Sequence, residues 1–242
     1  MKTILKINNL KKSFGKNDVL TNFSYEFKEK TIYALMGANG SGKTTLFNLL
    51  SGFLQSDAGE IFFKGKSIEK LKAFQISNVG LSRTFQDMRL IPSLTVYDNI
   101  LLALKNKESE KLFRAFLPQK NYPYKDRIEN IMLQTHLKSV ENSKAEDISY
   151  GQQKLLNLAV VMANDFDLLL LDEPVAGVQP EYRKEILQLI KSFNKTVIVI
   201  EHNPQFIDDL TENILFLDNG NVIAEGNYAK IKANRQVQKA YL

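Results

Sequence analysis

The 242-residue sequence predicts an α/β fold: a mostly parallel central sheet, an N-terminal antiparallel β subdomain and an inserted helical lobe. Three observations predict it. Residues 168–171 and 197–200 are short, wholly apolar runs without alternation, the pattern of strands buried on both faces of a parallel sheet. Within residues 4–27, Leu20, Phe23, Tyr25 and Phe27 alternate with polar residues, as antiparallel strands with one wet face do. From about Asp87 to Asp165 the apolar period becomes that of a helix.

Taken in order, residues 4–27 read as strands around a turn at Gly15-Lys16-Asn17-Asp18, and residues 31–36 as a buried strand. Glu60 to Phe63, followed by Lys64-Gly65-Lys66, reads as a strand and a turn. Helical spacing then recurs at Val96, Ile100, Leu101 and Leu104, at Ile128, Ile131 and Met132, and at Leu155, Leu158 and Val161. Pro180 suits the first turn of a helix between the two apolar strands. Residues 214–217 and 222–224 flank Asp218-Asn219-Gly220-Asn221 as a hairpin, and the tail from Tyr228 is helical. The expected division is a single domain over 1–242, with 1–86 and 166–242 forming the α/β body and 87–165 the helical lobe.

Composition narrows the partners. The formal charge is 32 − 27 = +5 with no dense basic run, which points away from nucleic acid. No cysteine is present, so disulfides and cysteine-ligated metals are excluded. No stretch of about eighteen apolar residues occurs, and Met1-Lys2-Thr3-Ile4-Leu5-Lys6 develops no apolar signal core, so the expected location is cytoplasmic.

Chemistry concentrates first at Gly37-Ala38-Asn39-Gly40-Ser41-Gly42-Lys43-Thr44, a full match to G-x-x-x-x-G-K-[ST] between a strand and a helix. Small residues let consecutive backbone N–H groups curl around phosphate oxygens, and the helix opened by Thr44 and Thr45 points its positive end at the same anion. Lys43 reaches the β- and γ-phosphates of a nucleoside triphosphate, and the Thr44 hydroxyl binds Mg²⁺. A second motif is the apolar run 168–171 ending in Asp172 and Glu173. Ligands gather at the carboxyl ends of parallel strands, so Asp172 is placed for the Mg²⁺ hydration shell and Glu173 to deprotonate an attacking water. Ser149 and Gln152 form a capping box, and Gly151 lets backbone come close to a phosphate. This reads either as a well-capped helix or as a second anion site serving another subunit's nucleotide. His202 directly follows a buried strand and precedes Asn203-Pro204, a helix cap and first-turn proline.

Together these residues resemble the ATP-binding cassette (ABC) ATPases, a family of P-loop NTPases, over nearly the whole chain. The resemblance implies that Phe14 stacks on adenine and that Gln86, in Arg83-Thr84-Phe85-Gln86, contacts Mg²⁺ and the lytic water. It also implies that His202 senses the γ-phosphate and that Ser149, Gly151 and Gln152 bind ATP in trans. ATP and Mg²⁺ are the implied cofactors, and Tyr150 departs from the commoner glycine. Gln179 stands where most of the family has Asp, which puts tight coupling of the two sites in doubt.

Within the family the chain is similar to ATPase subunits of branched-chain amino acid importers. The supporting segments are 81–86 leading to 92–96, 149–153, Ala176-Gly177, the terminal stretch 237–242 and an aromatic and proline-rich insert at 113–124. The implied function is to energise an importer of branched-chain or other amino acids; the alternatives are an exporter such as that for lipopolysaccharide, or a soluble ATP-gated clamp. Implied partners are a second ABC ATPase subunit (identical or homologous), transmembrane permease subunits and an extracytoplasmic solute-binding protein. That places the chain on the inner face of the membrane, with a groove offering Phe85, Met88, Leu90 and Ile91 to a permease helix.

Overall fold

A computed structural model describes residues 1–105 and 124–240. Of the insert 113–124 only Tyr124 is therefore described, and residues 241 and 242 of the terminal segment lie outside the described residues.

By their internal packing the described residues divide into two units. The first comprises Met1–Arg83, Phe166–Ala176 and Ile190–Leu242; the second comprises Thr84–Asp165 and Gly177–Leu189. Two sheets build the first unit. Strands β1 (Thr3–Phe14) and β2 (Asn17–Lys28) form the expected antiparallel hairpin, and β4 (Ala58–Phe63) and β5 (Lys66–Ser67) extend it in the order β2-β1-β4-β5. The alternation has its cause in burial: Leu20, Phe23 and Phe27 are sealed from solvent, Tyr25 is half-buried against the same core, and Thr21, Asn22, Ser24 and Glu26 are exposed.

The second sheet contains β3 (Ile32–Gly37), β6 (Leu81–Arg83), β7 (Leu168–Asp172), β8 (Thr196–Ile200), β9 (Ile214–Asp218) and β10 (Asn221–Gly226) in the order β10-β9-β3-β8-β7-β6. All neighbours are parallel except the β9-β10 hairpin. Every residue of β7 and β8 is buried, which is why neither alternates. One core joins the two sheets and α1 (Lys43–Leu50): Phe23, Phe27, Phe47 and Phe63 are each at most 2% exposed. Each such side chain contributes about 1.5–3 kcal/mol on burial. A smaller core lies on β3 and β9, where Ile207 of α7 (Pro204–Leu210), Ile231 of α8 (Tyr228–Ala233) and Val237 of α9 (Arg235–Ala240) pack on Ala34, Met36 and Phe216.

The second unit is helical. In α3 (Val96–Lys105) the periodic Val96, Ile100, Leu101 and Leu104 are buried, and the Thr95 hydroxyl caps the helix by accepting the Asp98 N–H at 3.0 Å. Ile128, Ile131 and Met132 are the buried face of α4 (Lys125–Gln134). In α5 (Tyr150–Met162) Leu155 and Leu158 are buried as expected, whereas Val161 is half-buried and Leu156 and Ala159 complete the inner face. The amino-terminal part of α6 (Pro180–Ser192) also falls in this unit, because Tyr182 lays its ring on Gly151 of α5. The short α2 (Ala73–Asn78) and β6 carry too little apolar periodicity to be read from sequence.

Candidate active site

The strand order places the carboxyl ends of β3, β8 and β7 side by side, with Leu35 and Asp172 both in register with Ile200. Whatever follows each of these strands must therefore converge. After β3 comes the glycine-rich loop, after β7 Glu173 and after β8 Glu201 and His202.

Gly42 caps α1 at φ 103°, a left-handed conformation that side chains resist. A Cβ there would also meet Leu20 Cδ2 at 2.9 Å. No side chain caps this helix and no acidic residue sits in its first turn, so its first N–H groups remain directed at the loop. The Lys43 ammonium is buried under the loop and donates to Gly37 O at 2.8 Å, Ala38 O at 3.0 Å and Ser41 Oγ at 3.4 Å. Burial holds its pKa below the usual lysine value, an effect only partly offset by the carboxylates of Glu173 and Asp172.

Asn39, Gly40, Ser41, Gly42, Lys43, Thr44 and Thr45 line one cavity of about 330 Å³ together with Phe14, Glu173 and His202. Phe14 presents a ring that is 48% exposed, available for stacking at the cavity edge. Glu173 adopts φ 48°, a left-handed conformation rare outside glycine, which costs on the order of 1–3 kcal/mol. Its N–H donates to Ile200 O at 2.9 Å, and its Oε1 lies 3.5 Å from His202 Nε2. The strained turn thus aims the carboxylate into the cavity beside the imidazole. Asp172, one residue earlier, is buried and accepts Arg83 Nη2 at 3.0 Å.

Gln86, Ser149, Gly151 and Gln152 belong to the second unit. Gln86 lines a groove of about 470 Å³ with Met88, Leu90, Pro92, Glu146, Tyr150 and Gln153. The capping box is formed: Ser149 Oγ accepts the Gln152 N–H at 3.3 Å and Gln152 Oε1 accepts the Ser149 N–H at 2.9 Å. Ser149 Oγ also donates to the Tyr182 hydroxyl at 3.2 Å.

Three residues that hydrogen-bond to these side chains or their loops escaped the sequence reading: Arg83 on Asp172, Tyr182 on Ser149, and Glu201 on the N–H groups of His202 and Asn203. Only Glu201 carried a signal, as a carboxylate directly after an all-apolar strand, the same pattern that marked Asp172 and Glu173.

Parallel strands ending in a phosphate loop, an acidic pair and a histidine define a nucleotide-binding α/β protein of the P-loop class. A family model described as ABC transporter matches residues 20–176. The chain belongs to that family and is an ABC-type ATP hydrolase of a transport system. It is 33% identical to the high-affinity branched-chain amino acid transport ATP-binding protein LivG of Salmonella typhimurium over 248 aligned residues, covering 99% of this chain and 97% of that one. Among solved structures it is similar to MJ1267, an ATP-binding cassette of an ABC transporter, with TM-score 0.88, 27% identity and full coverage of both chains. It is also similar to a dimeric post-hydrolysis state of the cassette MJ0796 bound to ADP and Pi, with TM-score 0.78 and 25% identity over 93% of this chain and 99% of that one.

Proposed function

We propose that the chain energises an importer of branched-chain or related amino acids, binding ATP in the cavity above Lys43 and hydrolysing it with Glu173. The observation that carries this reading is the convergence of the phosphate loop, Glu173 and His202 on one cavity. The cargo class rests on the LivG likeness; neither export nor a soluble clamp has comparable support.

In this reading Phe14 stacks on the adenine, residues Gly37 and Asn39 to Thr45 cradle the phosphates, and Lys43 exchanges its loop carbonyl partners for β- and γ-phosphate oxygens. Glu173 takes a proton from the attacking water, and His202 hydrogen-bonds the γ-phosphate. The donor set fits Mg²⁺. The Thr44 hydroxyl lines the cavity and the Asp172 carboxylate ends β7, and both are the hard oxygen donors that this ion takes alongside phosphates and water. Thr44 and Asp172, both of the first unit, would hold it, and when bound it would supply charge neutralisation on the phosphates. The chain's own groups orient the water, hold the phosphates and accept the proton.

Ser149, Gly151 and Gln152 serve the ATP of a second subunit, identical or homologous, across a nucleotide-dependent dimer. The dimeric state of the MJ0796 cassette supports this arrangement. The second unit, with its groove of Gln86, Met88, Leu90 and Pro92, receives a helix from the permease; of the four apolar residues expected there, Met88 and Leu90 line it, and Phe85 and Ile91 are not among its lining. No helix among the described residues is long and apolar enough to cross a membrane. In this reading, attachment to the inner membrane face runs through permease subunits, with an extracytoplasmic solute-binding protein completing the importer; the LivG likeness supports it. Glu173→Gln tests the core of the reading: ATP hydrolysis by the variant at the parental rate overturns it.

A further inference from the structure

Glu201 directly follows β8 and is buried, only 3% exposed, yet no chemistry has been assigned to it. Its two oxygens gather three backbone donors from two loops. Oε1 accepts the Val175 N–H at 3.2 Å; Oε2 accepts the N–H groups of His202 at 2.5 Å and Asn203 at 3.0 Å. A carboxylate is the one side chain of this size that presents acceptors only, so it satisfies all three donors at once. Val175 lies two residues beyond Glu173, whose φ of 48° needs its surroundings to hold it. The Glu173 N–H is tied to Ile200 O, one residue before Glu201.

We infer that Glu201 is a positioning residue for hydrolysis: it clamps the loop after Glu173 to the loop carrying His202, and so sets the 3.5 Å approach of Glu173 Oε1 to His202 Nε2. This rests on the proposed roles of Glu173 and His202. None of these three hydrogen bonds goes to the phosphate loop or Lys43, so the clamp governs the geometry of water attack and not the grip on ATP. A glutamine at 201 has the same shape but one acceptor oxygen; its NH₂ would face a backbone N–H, releasing one of the two loops. Misplacing a general base by a fraction of an ångström lowers the chemical step with little effect on binding.

The test compares steady-state ATP hydrolysis and ATP affinity for the full chain, Glu201→Gln and Glu173→Gln. Glu201→Gln is expected to lower kcat by roughly 10- to 100-fold while KM and the calorimetric ATP affinity stay within about twofold of the parent. Parental kcat in a folded Glu201→Gln overturns the inference, as does a loss that appears equally in ATP affinity. Should Glu201→Gln melt early, Glu201→Asp, which keeps the charge but shortens the reach, is held to the same split. Slow Glu173→Gln with parental Glu201→Gln fails this inference alone; parental Glu173→Gln fails the proposed function itself.

Discussion

Arg83 Nη2 donates to Asp172 Oδ2 at 3.0 Å with both side chains almost wholly withdrawn from water, 5% and 6% exposed. The same guanidinium donates through Nη1 to Asn48 Oδ1 at 2.7 Å and Ser51 Oγ at 3.0 Å. One side chain on β6 thereby fastens the acidic end of β7 to the far end of α1, the helix that begins at the phosphate loop. Breaking a buried pair from one side leaves an uncompensated charge, so Arg83→Met is expected to lower unfolding stability by about 3–5 kcal/mol. Chemical denaturation measures it, and replacing Asp172 by Leu as well should recover much of the loss.

Glu173→Gln removes the proton acceptor while preserving size. Hydrolysis is expected to fall by roughly 10²–10⁴-fold, the usual worth of general-base catalysis, with ATP affinity retained. Single-turnover kinetics beside calorimetry separates the two quantities.

Lys43→Met keeps the apolar stem and deletes the ammonium. Charge-assisted hydrogen bonds contribute about 1.5–3 kcal/mol, so ATP affinity should weaken by roughly 10- to 100-fold. Calorimetric titration returning the parental affinity would remove Lys43 from the phosphate site.

Gly151 has no room for a side chain: an added Cβ would stand 2.2 Å from Tyr182 Cδ2 and 2.4 Å from Cγ. Gly151→Ala is expected to destabilise the chain by about 1–3 kcal/mol through overpacking. Pairing it with Tyr182→Ala should relieve most of that, and a double variant no more stable than Gly151→Ala would contradict the packing account.

Asp167 is held below the ordinary aspartate range chiefly by its hydrogen bond from Lys64, with a second from Lys195 at 3.0 Å. A depressed carboxylate contributes stability above its unfolded value of 3.8 and loses it as pH falls through the folded value. The parent should thus exceed Asp167→Asn by under about 1 kcal/mol at neutral pH, since the pair is partly exposed. Denaturation across the acid range should show that difference beginning to fall near pH 3.8 and vanishing below the folded value.

Much of the site was legible because its parts are contiguous or follow a local pattern. The phosphate loop lies in eight consecutive residues, and Glu173 and His202 each follow a wholly apolar strand. The capping box of Ser149 and Gln152 spans a single turn and formed as read. What escaped notice acts across distance. Arg83 meets a partner 89 residues away, Ser149 meets Tyr182 across 33, and Glu201 reaches Val175 across 26. Nothing in the neighbouring residues of Arg83 distinguishes it from a solvated arginine.

The amino-acid order alone determined which segments become buried strands, where the phosphate loop sits and which residues follow each strand, because those depend on side chains within a turn or two. Only the tertiary structure decided that β8 lies between β3 and β7. That order is set by which apolar faces bury one another among segments as distant in the chain as Ile32 and Val197, and it alone makes neighbours of Lys43, Glu173 and His202.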